Sequence, residues 1–203
     1  FLEASYLDNR FAELHFYIGR CYLALGIIDK ARERFVQARD LDALRFRADT
    51  MINRIIRETV EERESQGLYL VDSERSFENS NLSPQGITGR ELFYEHVHPK
   101  FEGNYELARA IFQKVKTILP PEVQNRVLNP VVPPSRQWCS RRLALTEWNL
   151  AQIYSNVSEM MDAPPFTNQF DFETRKNFRD QKLRTYKRKN SASFAEAFQV
   201  YRK

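Results

Sequence analysis

The sequence predicts a mainly α-helical chain, and three observations carry that expectation. Residues 11–41, FAELHFYIGRCYLALGIIDKARERFVQARDL, place Leu14, Ile18, Cys21, Tyr22 and Leu25 on one helical face. Residues 101–119, FEGNYELARAIFQKVKTIL, do the same with Tyr105, Ala108, Ile111, Phe112 and Val115, and then stop at Pro120-Pro121. The last stretch, 173–203, is again helical in pattern, with Ala195, Phe198 and Tyr201 on one face.

Within 11–41 the apolar face is interrupted at Gly26, a residue suited to ending a helix. Asp29 is the expected cap of a second helix, whose inner face would carry Ala31, Phe35 and Ala38. Small residues at Gly19 and Ala31 would let two antiparallel helices approach closely. The order Gly19, Tyr22, Gly26, Ala31, Phe35, Ala38 resembles the tetratricopeptide repeat at matching offsets. Ala43 stands where that repeat usually carries a helix-ending proline. The helical pattern is therefore expected to run on through 43–65, with Leu44, Ala48, Met51, Ile52, Ile55 and Ile56.

Gly67 closes that helix, and LYLVD at 68–72 suits a short buried strand, with a helix end as the alternative. Residues 73–92 are turn-rich and read as a long loop, a length uncommon unless the loop is functional or disordered. Five of the nine prolines fall at 120, 121, 130, 133 and 134, which marks 120–137 as a connector. A further helix is expected from Arg141, interrupted at 162–172. Leu150, Ala151 and Tyr154, with Ala197 and Tyr201 much later, suggest a second, divergent repeat split by an insertion. The expected organisation is thus 1–45, a helical hairpin; 46–119, a domain with one strand; 120–137, a connector; and 138–203, a helical tail.

Composition removes several classes of function. Hydrophobic residues at 42% and charged residues at 29% are those of a folded globular chain. No apolar run approaches the roughly 20 residues that span a bilayer, so no membrane span is expected. Two cysteines, Cys21 and Cys139, form neither a disulfide framework nor a zinc motif. No cofactor is implied. Eight Lys or Arg lie between Arg175 and Lys189, interleaved with Phe178, Leu183 and Tyr186. Such a run can follow a phosphate backbone. Without a nucleic-acid module around it, it reads as a solvated helical face, and no nucleic acid is expected as a partner. The chain begins at Phe1 rather than Met, which reads as a piece of something longer or a processed protein. The compartment is left open.

One stretch carries chemistry. Residues 92–108, LFYEHVHPKFEGNYELA, set Glu95 three residues before His98, followed by Pro99, Gly103 and an amphipathic helix. This block resembles the last block of the SGNH (GDSL-type) esterase and acyltransferase superfamily, where an acid and a histidine are spaced Asp-x-x-His before the final helix. LDALRFRAD, LFYEHVHPKFEGNY and PPFTNQ are also similar to segments of bacterial proteins that combine tetratricopeptide repeats with such a domain. The resemblance implies that 46–119 is the carboxyl-terminal part of an α/β domain, with His98 as general base and Glu95 as its orienting acid. It implies an ester substrate, and through the repeat a protein or peptide partner. The physical logic is that the carboxylate fixes the imidazole tautomer and stabilises the imidazolium formed on proton transfer.

The family's Gly-Asp-Ser nucleophile motif does not occur in these residues, no oxyanion donors can be assigned, and Glu stands for the commoner Asp. Either the earlier blocks, with the nucleophile, lie on an amino-terminal portion outside these residues, or the block is a remnant that only scaffolds; in both cases this chain alone is expected to be inactive. The competing readings are a scaffold without catalysis, and Glu95 as a polar cap beside an exposed His98. His96 is expected to point elsewhere. Two histidines at i and i+2 could hold a metal, but spacing offers no third ligand, so no metal site is expected.

Overall fold

The computed structural model describes residues 1–126 and 132–201. Among them are ten α-helices and three single 3-10 turns, and no β-strand. The chain divides into two compact units, Phe1–Val131 and Val132–Lys203. The division falls inside the proline-rich stretch.

In the first unit, α1 (Leu2–Leu7) leads to α2 (Ala12–Ala24) and α3 (Ile28–Asp40). Gly26, at φ +72°, ends α2. Its N–H donates to the Leu23 carbonyl and the Ile27 N–H to that of Tyr22, a Schellman closure that a side chain at Gly26 would strain. Asp29 does not cap α3. The cap position is Ile27, without a side-chain bond, and Asp29 sits in the first turn, where its charge still suits the helix dipole. The two helices run antiparallel: Phe16 meets Phe35, His15 meets Arg34, and Gly19 faces Ala31 and Phe35. A Cβ on Gly19 would stand 2.9 Å from the Phe35 ring and 3.3 Å from the Ala31 carbonyl oxygen, so only glycine permits this spacing.

The helix expected over 43–65 starts later, as α4 (Thr50–Arg63). Asp42 accepts from the Leu44 N–H and bends the chain, and Asp49 caps the new helix by accepting from Ile52 N–H at 2.8 Å. Leu44 and Ala48 therefore lie outside it. Residues 68–72 form no strand, because no second strand pairs with them among the described residues. Asp72 instead caps α5 (Ser73–Glu78), a helix inside the segment read as loop. Arg57 of α4 reaches Asp72 at 2.8 Å and Glu74 at 2.6 Å, and Arg39 of α3 also pairs with Glu74. These ions tie α3, α4 and α5 together. The Arg57 hydrogen bonds hold the Asp72 carboxyl below the usual carboxylate range.

α6 (Phe101–Ile118) ends before the prolines as expected, and α7 (Pro121–Gln124) is one turn. α4 exposes Met51, Ile52, Ile55 and Ile56, and α6 exposes Ile111, Phe112 and Val115. No described helix is long and apolar enough to cross a membrane.

In the second unit, α8 (Arg136–Arg142) and α9 (Glu147–Met161) replace the single helix expected from Arg141. Ala144, at φ +50°, breaks the run, and Thr146 with Asn149 forms a reciprocal cap that starts α9. α10 (Phe172–Tyr201) packs antiparallel on α9, with Tyr154 and Tyr186 rings 4.9 Å apart. Tyr154 thus meets Tyr186; Ala197 and Tyr201, the later positions of the expected divergent repeat, lie outside the residues whose side chains are described. In the basic run, Arg175 pairs with Asp171 and both Lys176 and Arg179 pair with Asp162.

Candidate functional site

Glu95 and His98 sit at the tip of a narrow loop just before α6. Its base is closed by an antiparallel bridge between Phe93 and Pro99. The Tyr94 N–H donates to the His98 carbonyl at 2.9 Å, and the Lys100 N–H to the Leu92 carbonyl at 2.8 Å. Leu92, fully buried, anchors one limb. Gly103, in the first turn of α6, lies against the other side of that anchor. A Cβ there would be 2.5 Å from the Leu92 carbonyl oxygen and 2.9 Å from Pro99 Cβ. The glycine in this motif is thus a contact surface for the loop.

The Glu95 side chain is only 1% exposed, yet both of its carboxylate oxygens accept hydrogen bonds. Oε1 accepts the His98 backbone N–H at 2.7 Å and contacts His98 Nδ1. Oε2 accepts the Val97 N–H at 2.9 Å and lies 2.6 Å from His96 Nδ1. Three hydrogen bonds therefore reach the carboxylate, and the His96 ring stands close to Oε2 without making a fourth. Burial pushes the Glu95 carboxyl up, but the Val97 and His98 amides, the His98 ring and the nearby His96 outweigh it and hold the group below its ordinary value. An ionised carboxylate only accepts, so the His98 imidazole donates from Nδ1. The His98 side chain is 59% exposed, and no hydrogen bond among the described residues engages its Nε2.

The expected pairing of Glu95 with His98 is present, three residues before α6. The setting differs from the expected one, since no strand end lies beside it. The polar-cap reading captures part of the geometry: Glu95 does accept backbone amides, but those of a loop, and α6 begins only at Phe101 with Lys100 as its cap. The expectation for His96 was wrong. The backbone turns between 94 and 98, so the two rings converge on one carboxylate instead of alternating. His96 also lies against Phe46, with ring centroids 4.7 Å apart. Burial lowers the His96 imidazole, Arg47 adds to that, and Glu95 opposes it. Phe46 and Arg47 belong to the stretch between α3 and α4, which sequence reading assigned to a helix. Among the described residues no group of three His, Cys, Asp or Glu is placed to hold a metal ion. An apolar cavity of about 390 Å³ beside α1 and α2 is lined by Phe1, Ile18 and Tyr22, and by none of these site residues.

No protein-family model matches the chain, and no curated protein and no solved structure matches it.

Proposed function

We propose that this chain carries the acid and base of an SGNH-type ester hydrolase or acyltransferase whose nucleophile is supplied by residues other than these 203. The observation that supports this most is the Glu95–His98 pair itself: a buried, ionised carboxylate on Nδ1 of an exposed imidazole. In that arrangement His98 Nε2 takes the proton of an attacking hydroxyl and the ring becomes positive. Glu95 stabilises that charge without moving. The same Nε2 then protonates the departing alkoxide, and a second cycle with water releases the acyl group. The resemblance of LFYEHVHPKFEGNY to the last block of that superfamily supports the same reading.

The test uses a generic activated ester. The 203-residue chain alone is expected to be inactive. A longer gene product containing a Gly-Asp-Ser segment is expected to be active, and His98→Ala should lower its kcat by about 10²–10⁴-fold, the usual worth of a general base. Hydrolysis by the short chain that survives His98→Ala would overturn the mechanism.

A second reading is favoured by the Gly19 crossing with Ala31 and Phe35. It makes the α2–α3 hairpin a tetratricopeptide-type unit that binds a protein or peptide. Under it, binding of any partner tolerates His98→Ala and fails in Gly19→Leu.

A further inference from the structure

We propose that α8 and its flanks, residues 132–143, form a peripheral binding surface for an anionic membrane: Trp138 and Leu143 enter the lipid interface, and the arginines around them meet the negative headgroups. The charge is set by the sequence. Between Arg126 and Glu147 there is no Asp or Glu, while Arg136, Arg141 and Arg142 are all positive. None of these three meets a carboxylate among the described residues, whereas Arg175, Lys176 and Arg179 of α10 each do. Arg141 and Arg142 lie in the last turn of α8, where the helix dipole favours a positive charge. Arg136 opens the first turn, where the dipole opposes it, so its place needs another reason.

Exposed apolar side chains fall in the same segment. Trp138 is 53% exposed and Leu143 69%, and Val132, just before the helix, is exposed too. No residue of α8 is buried. Single apolar side chains at a surface are ordinary, but these three share residues 132–143 with three arginines that no carboxylate neutralises. Arg142 lies over the Trp138 ring, 5.5 Å from its centroid, so one face of the helix presents ring and charge together. Both ends of the helix are closed. Ser135 accepts the Trp138 N–H at 3.2 Å, and the Leu145 N–H donates to the Ser140 carbonyl at 2.9 Å, past the positive φ of Ala144. An indole and a leucine beside guanidinium groups suit the boundary between headgroups and acyl chains, where long basic side chains reach back to the headgroups. A nucleic acid fits less well. Leu143 and Val132 offer no ring on which a base could stack, and Arg142 covers one face of Trp138.

The test is sedimentation of the 203-residue chain with vesicles of phosphatidylcholine, alone or with about 30% phosphatidylserine, in about 0.1 M salt. Each arginine near an anionic surface is worth about 5-fold, so the anionic vesicles should bind about 10²-fold tighter than the neutral ones. Arg141→Gln combined with Arg142→Gln should weaken binding to the anionic vesicles about 25-fold. Trp138→Ala should weaken it about 10-fold, and the arginine pair carries the test should that variant not fold. The control is Arg184→Gln combined with Lys187→Gln, which removes the same charge from exposed positions of α10 and should cost less than about 3-fold. Equal binding to both vesicle types, no binding to either, a control that loses as much as the α8 pair, or a folded Trp138→Ala that binds as before overturns the proposal. So does tighter binding of a single-stranded oligonucleotide of about 20 nucleotides that the α8 pair abolishes, which gives the surface to nucleic acid instead.

Discussion

The α2–α3 hairpin holds His15 and Gly19, and the loop at 93–99 holds His98 and rests on Gly103 of α6; the two regions use their histidine and glycine differently. In the hairpin, His15 is buried and both ring nitrogens are consumed internally, by Asn9 and Arg34. In the loop, His98 commits one nitrogen to Glu95, and no hydrogen bond among the described residues takes the other. Gly19 lets one helix approach a ring, whereas Gly103 lets a helix approach a carbonyl oxygen. The first histidine completes a packed interface and the second is left with a proton-accepting atom to spare. A histidine's role thus depends on which of its two nitrogens the fold leaves over.

The comparison can be broken most forcefully at Gly103. A methyl group there collides with backbone that cannot swing away, so Gly103→Ala is expected to destabilise by about 3 kcal/mol. Denaturant unfolding measures the loss, and the His98 tautomer should change with it. Gly19→Leu meets mainly the Phe35 ring, which can yield, and should cost about 2 kcal/mol. Here the His98 tautomer should stay as it was. A Gly19 variant that altered His98, or a Gly103 variant that did not, would show that the two regions are not separate in the way their contacts indicate. Glu95→Gln keeps the shape but turns an NH₂ toward two donors. It should cost about 1.5 kcal/mol for buried donors left unmatched, read by the same unfolding experiment.

The smallest expected effect is a pH dependence. The His96 imidazole titrates below its ordinary value of 6.5 in the folded chain, mainly through burial. The unfolded state then takes up the proton first. Stability from this ring is complete above about 6.5 and is lost as pH falls through the lower folded value. Glu95 and Asp72 are held below the ordinary carboxylate range, so their contribution persists until pH falls below about 4. Thermal midpoints should therefore drop in two stages on acidification, and His96→Phe should remove only the upper stage.

Much of this architecture was legible in the sequence. The helical hairpin followed from apolar spacing and from Gly26, and α6 from its amphipathic face and the Pro120-Pro121 stop. Glu95 and His98 were singled out by the resemblance of LFYEHVHPKFEGNY to an esterase block, and the two side chains do meet. The misplaced helix boundaries share a cause: short polar side chains that compete with a continuing pattern. Asp42 and Asp49 interrupted a helix that apolar periodicity carried through, and Thr146 with Asn149 restarted another. LYLVD looked like a strand because it is apolar and bounded by Gly67 and Asp72, but a strand needs a partner, and pattern alone supplies none. His96 was missed because alternation assumes extended backbone, and this backbone folds back at Glu95.

The helices that pack most heavily on each other, α2 with α3 and α9 with α10, are neighbours along the chain. Such contacts close short loops, and domains built from them fold fast, on microsecond to millisecond timescales. Each hairpin should therefore be in place before the long-range ionic ties from Arg39 and Arg57 to Glu74 are made. In a refolding experiment followed by pulsed hydrogen exchange, amides of α2 and α3 should gain protection early, and those of Val97 and His98, which wait for Glu95 to be enclosed, should gain it last.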